Sequence, residues 1–292
     1  MRLASIKYNQ QETAALVIRD AVIPVKEINR QINTGWPEDL FAIISSGRLE
    51  EMVEWYNTGT ILNVKFSDDV MIQIVDADFA PLYRSPNKIW GIGLNYKAHA
   101  AELDEKQIHG EPGSFMKPST TIIGYGDTIE IPVQSEKTTG EGELGIIFGK
   151  KCKNIKKEDW LSVVAGFTTI VDMTAEDILR RNVRYLTSSK SFDTFFSFGP
   201  VFVTTDEIDN VNELTVQTYL NSELIAENQV KNMTFTPDFL VSYHSKIMTM
   251  LPGDIISSGT PGTAKLSNGD IVECRIDGFT TLKNPVKDLK IK

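Results

Sequence analysis

The sequence predicts an α+β fold that is mainly β. Two observations carry this expectation. Short apolar runs rich in Val, Ile and Phe recur along the chain, with Gly, Pro or Asn-Gly between them. Segments with helical spacing are few, and strands and helices do not alternate as βαβ units would require. With 292 residues and 41% hydrophobic content, the chain is long enough for one large domain or two unequal ones around a substantial core.

Residues 1–85 read as a small leading α/β domain. Ala14–Arg19 and Ala21–Val25 suit short strands. Trp36–Ser46 and Glu50–Tyr56 carry helical spacing, with Leu40, Ile43 and Ile44, then Met52, Val53 and Tyr56, as their apolar positions. Ala80–Asn87 contains two prolines and reads as a connector. Residues 86–292 form the second, strand-rich domain. Strands are expected at Lys88–Leu94, Thr121–Gly124, Leu144–Phe148, Val163–Val171, Val201–Thr205, Leu214–Leu220, Asp254–Ser258 and Asp270–Ile276. Asn268-Gly269 marks a tight turn. A helix is expected after Thr174, with Thr174 as its N-cap, and another over Asp238–Thr249.

Charge and cysteine content narrow the function. The formal net charge is −9, from 30 basic and 39 acidic residues, which argues against a nucleic-acid partner. Cys152 and Cys274 stand alone, so neither a disulfide framework nor a zinc cluster is expected, and a reducing cytoplasm is the expected location. No apolar run reaches the roughly 18 residues that a membrane-spanning helix needs, and the start has no signal-peptide core. Gly91-Ile-Gly-Leu-Asn-Tyr begins like a dinucleotide fingerprint, but its sixth residue is Tyr96 and no acidic residue closes the unit, so nucleotide binding is not expected.

The most informative residues are three carboxylates. Glu141 and Glu143 lie two apart in an apolar stretch, which on a strand puts both on one face, with Leu144, Ile146 and Phe148 forming the core-facing row. Asp172 ends the next apolar run. Buried carboxylates need compensation. A hard divalent cation would supply it, and an all-oxygen donor set favours Mg²⁺, Mn²⁺ or Ca²⁺ over zinc. A solvated edge strand with two surface acids is the other reading of the same spacing.

Further residues gather around this trio in the sequence. His99 and Glu102 are three apart, either an acid–base unit with an oriented ring or a surface pair. The polar, Gly-containing stretch that follows resembles a closing lid or an ordinary loop. Lys117 either neutralises an anionic substrate or is solvated. Lys190, beside a dense aromatic run, either stabilises an oxyanion or enolate or snorkels to solvent. Gly259 and Thr260, in Ser-Gly-Thr-Pro-Gly-Thr, either bind a carboxylate or form a plain turn.

The order of these motifs is more specific than any one of them. Gly-Leu-Asn-Tyr at 93–96 with His99 and Glu102 comes first, followed by Phe-x-Lys-Pro-Ser at 115–119 and Glu-x-Glu-Leu at 141–144. Val-Asp-Met-Thr-Ala at 171–175, Lys-Ser-Phe-Asp-Thr-Phe at 190–195, and Pro-Gly-Asp followed by Gly-Thr-Pro at 252–261 complete the series. The series resembles the fumarylacetoacetate hydrolase family over residues 88 to about 285. The resemblance implies a mixed β-roll or pseudo-barrel of the β-clip type and a divalent metal, Mg²⁺ or Mn²⁺, on Glu141, Glu143 and Asp172. It implies catalysis by His99, Glu102 and Lys190, with Lys117, Gly259 and Thr260 around the substrate. The implied substrate is a small anionic 2-oxo acid, and the expected assembly is a homodimer.

Such an enzyme would chelate the 2-oxo carboxylate, polarise the ketone and pass through an enolate. Hydrolysis of a C–C bond in an acylpyruvate, or decarboxylation of an oxaloacetate type, would follow. The alternatives are isomerisation of a hydroxymuconate-type diene and dehydration of a sugar acid, with a non-catalytic binding protein as the remote rival. Glu176 and Leu179 depart from the family pattern, which has Arg and Gln there, and Arg normally contributes to binding a substrate carboxylate. The leading 85 residues carry no matching motif.

Overall fold

The computed structural model describes residues 1–67, 70–96 and 110–291. Among these, two sheets dominate, of 13 and 5 strands. The larger runs from Ile72–Gln73 through Ala21–Pro24, Gln11–Ile18, Arg2–Tyr8, Val201–Thr204, Val164–Ala175, Thr138–Phe148, Ile255–Ser257 and Ile89–Gly93 to Gly113–Lys117. Phe196–Phe198 and Thr263–Lys265 pair alongside its two long central strands. The smaller sheet orders Glu223–Gln229, Thr215–Leu220, Ile271–Ile276, Leu282–Asp288 and Ile129–Ile131. The fold is therefore mainly β, as the sequence predicts. No helix of the described residues is long and apolar enough to cross a membrane.

The first strand joins the leading segment to the rest. Arg2–Tyr8 pairs antiparallel with Val201–Thr204, with Leu3 opposite Phe202. The helices Val25–Ile32, Leu40–Ser45 and Arg48–Asn57 pack on this part of the sheet. Their buried residues Ile28, Leu40, Ile43 and Met52 share one core with Ile147, Ile170 and Phe202. Asp39 caps the second of them, its carboxylate accepting from the Ala42 N–H at 2.7 Å.

The centre of the molecule is the antiparallel pair Thr138–Phe148 and Val164–Ala175. Every residue of both strands is buried. Neither is an edge: Thr138–Phe148 also pairs with Ile255–Ser257, and Val164–Ala175 with Phe196–Phe198 and Val201–Thr204. Alternation splits the first strand between two environments. Leu144, Ile146 and Phe148 pack in one core with Val216, Val272 and Leu282 of the smaller sheet. The opposite face carries Glu141 and Glu143. The two sheets approach closely at Gly142, whose N–H donates to Thr218 Oγ1 at 3.0 Å.

The sequence expectations differ from the structure at informative places. The helix after Thr174 starts at Glu176, and its N-cap position is Ala175, without a side-chain cap bond. Thr174 stays in the strand, and its hydroxyl is used elsewhere. Gly113–Lys117 is a strand that the sequence did not suggest, and Lys117 closes it. The turn at Asn268-Gly269 exists, with Gly269 at φ 86°. It does not make a hairpin, because Thr263–Lys265 pairs with Thr138–Phe148 while Ile271–Ile276 pairs within the smaller sheet.

Gly142 provides a test of the sheet contact. A Cβ there would lie 2.8 Å from the Gln217 carbonyl oxygen and 2.9 Å from Thr218 Oγ1. Backbone on the partner sheet leaves little room to yield, so Gly142→Ala should destabilise the fold by about 1–3 kcal/mol. Thermal or urea denaturation measures this, and a Tm equal to that of the unmodified protein would contradict the packing.

Candidate metal centre

The register of the central pair builds the site. Asp172 lies directly opposite Glu141, and Ile170 opposite Glu143. Glu143 is two residues from Glu141 on the same face. A carboxylate oxygen from each of the three lies within 4.8 Å of the others. They are deeply buried, with relative exposures of 9% for Glu141, 1% for Glu143 and 0% for Asp172. The solvated-edge reading therefore does not hold, because the strand is internal to the sheet.

Two lysines enter this cluster from different elements. Lys190, the last residue of the short helix Leu186–Lys190, places Nζ 3.0 Å from Glu141 Oε2 and 2.7 Å from Asp172 Oδ2. Its ammonium also lies 4.7 Å from the centre of the Phe115 ring. Lys117 donates to Asp172 Oδ1 and, at 3.1 Å, to the Met173 carbonyl. Its side chain is wholly buried.

Each carboxylate is braced as well as paired. Thr174 Oγ1 donates to Glu141 Oε1 at 2.5 Å. Ser257 Oγ and the Gly259 N–H donate to Glu143 Oε2 at 2.5 and 2.8 Å. Gly259 sits at φ 92°, and a Cβ there would lie 2.7 Å from Asn95 Cβ, so only glycine brings this N–H onto Glu143. Asn95 anchors the loop by donating to the carbonyls of Phe235 and Ser258 at 2.9 and 2.7 Å. Thr260 uses its hydroxyl within the same loop, donating to the Gly262 carbonyl at 2.8 Å.

The electrostatics follow from burial and crowding. Burial, then the neighbouring Asp172 and Glu141 charges, push Glu143 up to about 8 against the pull of Lys190 and Ser257. Burial, aided by the like charge of Lys190, pushes Lys117 down to about 8, although Asp172 opposes the shift. Burial would lower Lys190 too, but Asp172, Glu141 and Glu143 outweigh it and hold its ammonium charged. The two lysines differ because Lys190 touches two carboxylates and Lys117 one.

This arrangement fits a divalent cation. Two ammonium groups face three carboxyl groups and pair only with Asp172 and Glu141, so Glu143, pushed up to about 8, is the group at which a cation would take the place of a proton. The donors are all carboxylate oxygens, which suits a hard ion. The cluster opens onto a cavity of about 280 Å³, lined on this side by Glu141, Lys190, Thr139, Thr174 and Phe115. His99 and Glu102, with the adjoining stretch read as a lid as far as residue 109, lie outside the described residues. Thr174 and Ser257 did not stand out in the sequence. The signal for Thr174 was present, since it is two residues beyond Asp172 and so shares its face. Ser257 had none, because its partner is 114 residues away.

A buried carboxylate cluster that fits a metal, open to a small cavity and flanked by lysines, has the make-up of an enzyme site for a small molecule. The chain belongs to the fumarylacetoacetate hydrolase family: the family pattern described as Fumarylacetoacetate (FAA) hydrolase C-terminal matches residues 88–287. An uncharacterized protein of Methanocaldococcus jannaschii is 44% identical over 204 residues, 70% of this chain and 84% of that protein. The mitochondrial oxaloacetate tautomerase of Xenopus laevis is 36% identical over 211 residues, 69% of this chain and 66% of that one. Maleylpyruvate hydrolase from Sphingobium sp. SYK-6, crystallised with manganese(II) ion and pyruvate, shares the fold with a TM-score of 0.79. It is 25% identical, over 99% of both chains.

The braces predict a graded response in metal affinity. Glu143→Ala should lose most Mn²⁺ binding. Ser257→Ala, which removes only an orienting hydroxyl, should lose about tenfold. Calorimetric titration measures both, and wild-type affinity in Glu143→Ala would remove Glu143 from the centre.

Proposed function

We propose that this enzyme acts on small 2-oxo carboxylic acids with Mg²⁺ or Mn²⁺ held by Glu141, Glu143 and Asp172, and that its central chemistry is enolisation. The observation that supports this most is the position of Lys190. An ammonium has three N–H donors. Two of those on Lys190 go to Glu141 and Asp172, and the same side chain lines the cavity, where the third can serve a substrate oxygen.

A bound divalent ion would supply Lewis-acid polarisation of the 2-oxo group. The protein groups do the rest. Lys190 donates to the C2 oxygen as negative charge develops there. Lys117 has a different task, since it holds Asp172 and the Met173 carbonyl and so fixes the carboxylate opposite Glu141. The Gly259 N–H and the Ser257 hydroxyl hold Glu143 in place rather than reach for substrate. His99, oriented by Glu102, moves the proton at C3.

Proton transfer between C3 and the C2 oxygen, with no C–C bond broken, is tautomerisation, the reaction named for the Xenopus relative. The same charge on the C2 oxygen would develop if CO₂ left from C3, which is the decarboxylase outcome. Hydrolytic C–C cleavage of an acylpyruvate type is the second reading, favoured by the likeness to maleylpyruvate hydrolase over nearly the whole chain.

Proton NMR in D₂O tests the shared step, and product analysis separates the outcomes. With Mg²⁺ or Mn²⁺ the enzyme should speed deuterium uptake at C3 of a 2-oxo acid. A panel of acylpyruvates, oxaloacetate and hydroxymuconates should reveal which product forms. His99→Gln should lower kcat by roughly 10²–10⁴-fold without altering metal affinity. Lys190→Met should depress kcat and kcat/KM together, whereas a rise in KM alone would make Lys190 a ground-state anchor. Full activity in His99→Gln would refute its role.

A further inference from the structure

The cavity has a wall that the metal chemistry does not use. Leu179, Val183 and Leu186 line it from the segment that follows the strand Val164–Ala175, and Leu94 and Phe115 line it from elsewhere. Phe115 is buried, but the aliphatic groups are left facing water: Val183 is 71% exposed, and Leu179, Leu186 and Leu94 are half-buried. Leu94 also holds a φ of 53°, a left-handed conformation that a side-chain-bearing residue adopts only at a cost. Beyond the metal cluster, the charged residues among the described lining are Glu176 and Arg180. They are committed to each other, Arg180 Nε pairing with Glu176 Oε1, and the second Glu176 oxygen takes Lys137 at 2.7 Å.

Water-exposed apolar surface inside a cavity gains when hydrocarbon covers it, and apolar walls with few polar groups are the usual lining of a ligand pocket. We infer that the end of the substrate remote from the metal is an uncharged hydrocarbon tail, and that Leu179, Val183 and Leu186 select it. The class of substrate is then a 2-oxo acid with an aliphatic tail rather than one with a second, distal carboxylate, which leaves tautomerisation or acylpyruvate hydrolysis as the outcome and removes decarboxylation. The inference rests on the proposed reading of the metal centre as the seat of the 2-oxo acid head.

Calorimetric titration of the Mg²⁺-loaded enzyme tests the tail without turnover. Oxalate probes the head alone. Pyruvate, 2-oxobutanoate, 2-oxopentanoate and 2-oxohexanoate lengthen the tail, and 2-oxoglutarate adds a distal carboxylate to the five-carbon length. Kd should fall along the alkyl series, by up to about fourfold per methylene, the value of a fully buried CH₂. 2-Oxopentanoate should bind more tightly than 2-oxoglutarate. Leu179→Gln should flatten the series and leave oxalate binding unchanged. Val183→Ser, at an exposed position, gives the same reading should Leu179→Gln not fold. A flat series with oxalate binding intact would overturn the inference alone. So would a preference for 2-oxoglutarate that disappears in Arg180→Met, since Arg180 would then be reading a second carboxylate. Absence of oxalate binding would instead overturn the reading of the head site, and the inference with it.

Discussion

Three carboxylates and two lysines share a buried volume at the middle of the larger sheet, and their mutual neutralisation is the constraint around which the rest is arranged. Ionised groups removed from water cost several kcal/mol each unless paired and hydrogen-bonded. Asp172 has no exposure and is held by both Lys117 and Lys190. Glu143 touches neither lysine at ion-pair distance and relies on Ser257 and the Gly259 N–H. It is also the carboxylate that burial and its neighbours push up to about 8. Glu143, the carboxyl group without a lysine partner, is thus where a cation would take the place of a proton.

Such a cluster tolerates little slippage. A shift of one residue in the pairing of Thr138–Phe148 with Val164–Ala175 would turn Asp172 to the opposite face from Glu141. The register is held on both flanks. On one side Ile255–Ser257 and Thr263–Lys265 pair with the glutamate strand, and on the other Phe196–Phe198 pairs with the aspartate strand. Beneath, the contact of Gly142 with Thr218 presses the smaller sheet against the same strand. The leading segment adds to this framework, because its first strand extends the larger sheet next to Val201–Thr204.

Much of the site was legible because its signals are local. Glu141 and Glu143 two apart, Asp172 after an apolar run, and Lys190 before an aromatic run are patterns that strand periodicity and motif order reveal directly. Other features escaped for equally physical reasons. The strand Leu282–Asp288 contains Asn284 and Pro285, residues that disfavour strands in isolation. Thr174 had the signature of an N-cap, yet a buried carboxylate lies within reach of its hydroxyl, and satisfying that carboxylate outweighs capping a six-residue helix.

What the sequence determined by itself was the mainly β character, the trio of carboxylates and the order of motifs that marks the family, since these follow from residue type and short spacing. Whether Glu141 and Glu143 lay on a wet edge or in a dry interior was decided only by the tertiary structure, because strand order depends on partners far apart in the chain. The same holds for the division of labour between the lysines. Lys117 and Lys190 look alike as sequence, but one is sealed against Asp172 and Met173 while the other reaches the cavity. The wall of Leu179, Val183 and Leu186 likewise acquired meaning only when folding set it beside Lys190, leaving apolar surface in water that a ligand's hydrocarbon can cover.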